Sequence, residues 1–318
     1  MKANEQLIRQ AEKGELTKVR KLLISTKLNV DAPGEDRQEG YTALMASSYF
    51  GHLDIVKILL KYGAKINRKN YDGYTALSLA SSRGNLDIVK YLVSKRAKIN
   101  ITDYEEKTAL FKAINNTHLN TVKYLVSKGA KINITDYEGN TPLMLASRFH
   151  GNLNTVKYLV SKGAKINIIN DYGETALFKA VYGDRLQVVK YLVSKGAKIN
   201  ITDNDGKTML IYALEKGYKK IYSYLSKLIL EPTIKKKLIR QKDRETAQAF
   251  TKGGQIIPQG MRGEIFKYLF GKTPNSLKDN AKKYGIRLTV NRNGKRVYKS
   301  EKVLKKQIKN SIKRKLRV

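Results

Sequence analysis

Apolar residues in this 318-residue chain fall into two alternating patterns between residues 39 and 205. In GYTALSLASSRGNLDIVKYLVSKRAKINITDYE, residues 73–105, Leu77, Leu79 and Ala80 make a tight apolar group. Gly84 follows, and Leu86, Ile88, Val89, Leu92 and Val93 then recur at helical spacing. The first group predicts a short helix and the second an amphipathic partner. Thr75 stands where an N-cap acceptor is wanted, and in a later copy Pro142 takes the first helical position. Gly84 can adopt the left-handed conformation that ends the first helix, and Gly129, Gly163 and Gly196 do the same for the second. The DYEG and DNDG stretches beyond them predict tight turns.

The whole unit repeats. Its threonines fall at Thr42, Thr75, Thr108, Thr141, Thr175 and Thr208, with spacings of 33, 33, 33, 34 and 33. The extra residue lies in ASRFHGNL, at a corner that tolerates insertion. No single unit can bury two helices alone, so neighbours must stack into a solenoid. The period of 33, with G-x-T-[AP]-L, the G-[HN]-L corner, V-K-Y-L and G-A-x-I-N, closely resembles ankyrin repeats. The resemblance implies an all-α repeat solenoid with β-turn fingers. A degenerate capping repeat is expected over 1–38, five repeats over 39–205 and a terminal capping repeat over 206–230.

Departures from the family pattern are specific. The histidine usual after TPL is replaced by Met45, Ser78, Phe111, Met144, Phe178 and Ile211, so its hydrogen bonds are expected to be lost. Lysine stands for the aspartate of GADVN at Lys65, Lys98, Lys131, Lys165 and Lys198. Arg96 replaces a capping glycine and Thr117 a corner glycine. A non-glycine residue at positive φ costs about 1 kcal/mol, so the junction of the second and third full repeats is expected to be locally softer.

Composition narrows the chemistry. The absence of cysteine excludes disulfides, thiolate metal sites and cysteine nucleophiles. No apolar run follows MKANEQLIRQ and none reaches the roughly 18 residues of a membrane span. An intracellular protein, in cytoplasm or nucleus and without membrane contact, is expected, and the NIT sequons at Asn100, Asn133 and Asn200 are then accidental. The GKT at 271–273 lacks the glycine a P-loop needs, because Phe266 stands there. His52, His118 and His150, the only histidines, have neither triad nor metal-ligand spacing. Neither enzymatic activity nor a cofactor is expected.

Net charge is +36, with 63 basic and 27 acidic residues. AT-rich coding would by itself favour lysine, so location is more telling than the total. Thirteen acidic residues lie between Tyr41 and Gly206, and nine of them crowd the turns after each GAKIN-type core. Tyr71, Tyr104, Tyr137 and Tyr172 share those turns, whereas Lys57, Lys90, Lys123, Lys157 and Lys190 follow the second helix. By resemblance, fingertips and first helices form the concave surface that binds a partner protein. The residues expected to meet it are Tyr71, Asp72, Asp103, Tyr104, Glu105, Asp136, Tyr137, Glu138, Asp171, Tyr172 and Asp203. Aspartate also stabilises such turns in any array. The lysine-bearing back reads as a solvated face rather than a nucleic-acid site.

Periodicity stops near Leu230, and residues 231–318 carry 26 basic against 6 acidic residues. A charged linker over 231–255 leads to IIPQGMRGEIFKYLFG, 256–271. Its Pro258, Ile265, Phe266 and Leu269 resemble the opening of an F-box, which implies docking on the Skp adaptor of a cullin–RING ubiquitin ligase. A short amphipathic helix packed on the last repeat is the plainer reading. Residues 272–318 read as a small basic α/β module: helix 275–284, strands 286–292 and 295–299 about an Asn293-Gly294 turn, then a helix. In this register Arg292 faces Lys295 and Val290 faces Val297. Arg287, Arg292, Lys295, Arg296 and Lys299 are candidate nucleic-acid contacts. KKKLIRQK and KRKLR would also serve nuclear import, or simply keep the tail solvated. The block resembles a basic segment of large-DNA-virus proteins, which implies a viral origin and action inside a host cell.

Overall fold

The computed structural model describes residues 3–25, 28–34, 40–148 and 153–229, together with the backbone of 289–292 and 295–298. It divides into two units, Met1–Gly206 and Lys207–Val318.

Six helix pairs build the first unit: α1 (Ala3–Lys13) with α2 (Leu16–Ser25), α3 (Ala43–Phe50) with α4 (Leu53–Lys61), and α5 (Ala76–Arg83) with α6 (Leu86–Ser94). The series continues through α7 (Ala109–Asn115) and α8 (Leu119–Ser127), α9 (Pro142–Arg148) and α10 (Leu153–Ser161), and α11 (Ala176–Tyr182) and α12 (Leu186–Ser194). First helices pack tightly on one another along the stack, while second helices touch lightly.

Threonine begins the first helices as the pattern predicts. The side chains of Thr42, Thr75, Thr141 and Thr175 accept from the backbone N–H three residues on, at 3.2 to 3.4 Å. Thr108 is different: its buried hydroxyl oxygen has no hydrogen-bond partner. The loss expected at the TPL-histidine position is partly wrong. Ser78 accepts from the Thr75 N–H at 2.9 Å and so completes a capping box. A hydroxyl at this site therefore restores the bond that histidine substitution was expected to remove. The core is a column of repeat-related side chains: Leu44, Leu77, Leu110, Leu143 and Leu177, backed by Val56, Val89, Val122, Val156 and Val189.

Three polar ladders tie one repeat to the next. The side chains of Asp31, Asn67, Asn100, Asn133 and Asn167 accept from the amides of Lys65, Lys98, Lys131, Lys165 and Lys198 at 2.8 to 2.9 Å. Fingertips are joined backbone to backbone, through Tyr104 N–Asp72 O, Tyr137 N–Glu105 O, Asp171 N–Glu138 O and Asn204 N–Tyr172 O at 3.0 to 3.2 Å. At the corners, the side chains of His52, Asn85 and His118 reach back to carbonyls of Glu12, Ser48, Tyr49 and Ser82. Two of the three histidines are thus structural, and His150 lies outside the described residues.

The second unit holds α13 (Met209–Glu215), capped by Thr208, and a further helix over 219–229. It also holds an antiparallel hairpin of β1 (Thr289–Arg292) and β2 (Lys295–Tyr298). Val290 is opposite Val297 and Arg292 opposite Lys295, the register expected from the Asn-Gly pair. The helices expected around the hairpin, the linker 231–255 and the F-box-like segment lie outside the described residues.

Candidate interaction surface on the fingers

Each finger is built around one Asx residue. The side-chain oxygen of Asn70 accepts from the N–H groups of Asp72 and Tyr74, at 3.2 and 2.7 Å. Asp103 does the same for Glu105 and Lys107, Asp136 for Glu138 and Asn140, and Asn170 for Tyr172 and Glu174. Such a side chain replaces a backbone turn bond, which is why Asx residues suit the site. The cost is presentation: Asp103 is only 5% exposed and Asp136 only 3%. These two aspartates therefore hold the fingers rather than face a partner. Asp203, in the same register, is half-buried.

The next two positions point outward. Tyr71, Tyr104 and Tyr137 follow the Asx residue directly and are 61%, 73% and 55% exposed. Asp72, Glu105 and Glu138 come one residue later, the first two exposed and the third half-buried. In the following finger the order is inverted. Asp171 stands in the tyrosine column and Tyr172, 52% exposed, in the acidic one. The inversion sets Tyr172 against Glu138 of the finger before it.

The first helices and the finger residue Lys107 contribute lysines that are already engaged. Lys112 Nζ lies 2.6 Å from Asp103 Oδ2, an ion pair without hydrogen-bond alignment, and 4.3 Å from the Tyr74 ring centroid. Lys107 donates to Glu105 at 3.0 Å and lies 5.8 Å from the Tyr137 ring centroid. Buried Lys179 pairs with Glu174 and sits 5.9 Å from the Tyr172 ring centroid. Burial opposes the Lys107 charge, but the hydrogen bond to Glu105 and the charges of Glu105, Asp136 and Asp103 raise its pKa. Tyr137 donates its hydroxyl to Glu138 at 3.2 Å, which raises the phenol pKa, and the charge of Glu138 raises it further. That same charge is the main cause raising the phenol of Tyr172. With these lysines engaged internally, the surface offers exposed phenols beside carboxylates, which suit a cationic or hydrogen-bonding partner.

The family model described as Ankyrin repeats (3 copies) matches residues 7–103, 103–170 and 151–236. The chain belongs to the ankyrin-repeat family. This ankyrin protein is also similar to the oxysterol-binding protein-related protein 1 of Mus musculus and of Rattus norvegicus. Each is 38% identical over 74 residues, covering 21% of this chain and 8% of the relative. The shared stretch is thus a small part of both relatives.

The remaining candidates belong to the C-terminal part of the chain. Pro258, Ile265, Phe266 and Leu269 lie outside the described residues, as do Arg287 and Lys299. Arg292, Lys295 and Arg296 fall on the hairpin strands, of which only the backbone is described. Among the described residues, no group of three or more His, Asp or Glu side chains could hold a metal ion, and no helix is long and apolar enough to cross a membrane. The functional column that sequence reasoning missed is the asparagine ending each GAKIN core, the side chain that links repeats. Its signal is present in the sequence: Asn67, Asn100, Asn133 and Asn167 recur in one register, beside the more conspicuous charges of the lysines.

Proposed function

We propose that this ankyrin-repeat protein is a non-catalytic interaction scaffold that binds a partner protein across its fingers and first helices. The observation that carries this reading is the run of exposed tyrosines, Tyr71, Tyr104, Tyr137 and Tyr172, on fingers joined by backbone hydrogen bonds. Exposed aromatic area on a pre-ordered support costs little entropy to bind with. Asp72, Glu105, Glu138 and Asp171 supply the charge, while Asp103 and Asp136 act by shaping the turns. The test is affinity purification with the full chain and with Y104A/Y137A. Retention of every partner by the double variant contradicts the reading.

In its sharper form the scaffold is a ubiquitin-ligase adaptor, on the likeness of 256–271 to an F-box. A pull-down should then recover the Skp adaptor and lose it with I265D; recovery unaffected by I265D, or none, rejects that form. The likeness of the tail to viral segments would set this action in the cytoplasm or nucleus of a host cell. The alternative is a nucleic-acid-binding role for the tail, favoured by its 26 basic residues against 6 acidic. Neutralising Arg287, Arg292, Lys295, Arg296 and Lys299 together should then weaken DNA or RNA binding and flatten its salt dependence. Binding unchanged by that substitution rejects the alternative.

A further inference from the structure

The second helices carry a charge pattern that the finger face does not use. In α4 and α6, Lys57 pairs with Asp54 at 2.9 Å and Lys90 with Asp87 at 3.5 Å. At the positions of those aspartates, α8, α10 and α12 carry Asn120, Asn154 and Gln187. Residues 119–135, 153–170 and 186–202 contain no acid at all, and each stretch contributes three exposed lysines. They are Lys123, Lys128 and Lys131, then Lys157, Lys162 and Lys165, then Lys190, Lys195 and Lys198.

These lysines ride on a held backbone. The amides of Lys131, Lys165 and Lys198 each donate to the asparagine of the repeat before, at 2.9 Å, so the repeats space their charges at a fixed interval. The Tyr158 hydroxyl donates to the Lys123 carbonyl at 3.1 Å and ties α10 to α8. The resulting stripe runs along the stack. It matches a polymer of regularly spaced negative charges better than one compact anion.

Which polymer follows from what the stripe lacks. Lysine is a point charge that neutralises phosphate without the paired geometry by which arginine reads bases. The rings of Tyr124, Tyr158 and Tyr191 are half-buried, with the Nζ atoms of Lys128, Lys162 and Lys195 5.8 to 5.9 Å from their centroids. They offer no open stacking platform for single strands. Among the described residues, α8, α10 and α12 expose no large hydrophobic side chain to enter a bilayer. We propose that the second-helix face of α8, α10 and α12, against the expectation of a merely solvated back, binds the phosphate backbone of duplex nucleic acid, independently of sequence and of the finger surface.

The full-length chain tests this, because tail charges are common to all variants and differences between variants report the stripe alone. A short DNA duplex is titrated by fluorescence anisotropy from about 50 to 200 mM salt with wild type, K123Q/K131Q/K157Q/K165Q and the matching fourfold arginine variant. If each lysine neutralises one phosphate, the slope of log K against log salt shrinks by about 3 to 4 in the glutamine variant. Affinity at low salt then falls at least about tenfold, and the arginine variant keeps wild-type behaviour. Should the fourfold glutamine variant fail to fold, K131Q and K165Q singly give the same reading in steps of about 0.9. Equal slopes for glutamine variants and wild type overturn the proposal. So does a loss confined to phosphatidylserine vesicles with duplex binding intact, which would assign the stripe to a membrane surface instead.

Discussion

Asp136 and Tyr137 are neighbours with opposite duties. Asp136 is buried and accepts from the amides of Glu138 and Asn140 at 3.1 and 2.8 Å, whereas Tyr137 is exposed. Asp136→Ala leaves two turn amides without their acceptor and is expected to cost about 1 to 3 kcal/mol, read by chemical denaturation. Tyr137→Ala is expected to leave unfolding unchanged and to weaken partner binding about tenfold or more. The reverse pattern would move recognition off the tyrosine column. Glu138 offers an independent check, since it raises both the Tyr137 and the Tyr172 phenol. Glu138→Gln removes that negative charge, so both phenols should ionise at lower pH than in wild type, as followed by NMR titration. Unmoved titrations would mean that Glu138 does not lie against both rings.

At the scale of elements, strain collects around α7. Arg96, Glu106 and Thr117 adopt φ values of 67°, 58° and 61°, where repeat-related positions hold glycine. Thr108 alone among the described N-cap threonines leaves its hydroxyl without a partner. Thr117 is β-branched, the type least suited to positive φ. At the neighbouring corner, Gly84 has φ 72°, and a Cβ there would come within 2.4 Å of the His118 ring. Thr117→Gly and Glu106→Gly are each expected to add about 1 kcal/mol of stability, measured by denaturation. Amide hydrogen exchange should show α7 opening before the other first helices from α3 to α11, the more so if its uncapped start frays. Uniform protection along the stack would contradict this account of the strain.

Part of this was legible in the sequence. Arg96 and Thr117 were visible as departures from a repeated glycine, because the period sets an expectation at every position. Glu106 and Asp184, whose φ of 55° puts it rather than Gly183 at the left-handed corner, were not. In YGDRL the glycine lies one residue before the corner register, and a nearby glycine hides the substitution. Asp103 and Asp136 stand among the expected contacts because sequence shows a side chain's charge but not its direction. The turn that buries them is made by bonds to amides two and four residues on, which no composition reveals.

For the molecule as a whole, the repeat unit makes stability a sum of local terms and interfaces. The asparagine ladder and the fingertip ladder each join successive repeats, so the exposed tyrosines and the exposed lysines hang on a common frame. On this scaffold, partner protein is expected to be held by fingers and first helices. The most direct measurement is affinity purification with mass spectrometry, comparing the full chain, Y104A/Y137A/Y172A and K123Q/K131Q/K157Q/K165Q. Partner proteins should be lost with the tyrosine variant and kept with the lysine variant. Partners that survive the tyrosine substitutions but vanish with the lysines would contradict the claim.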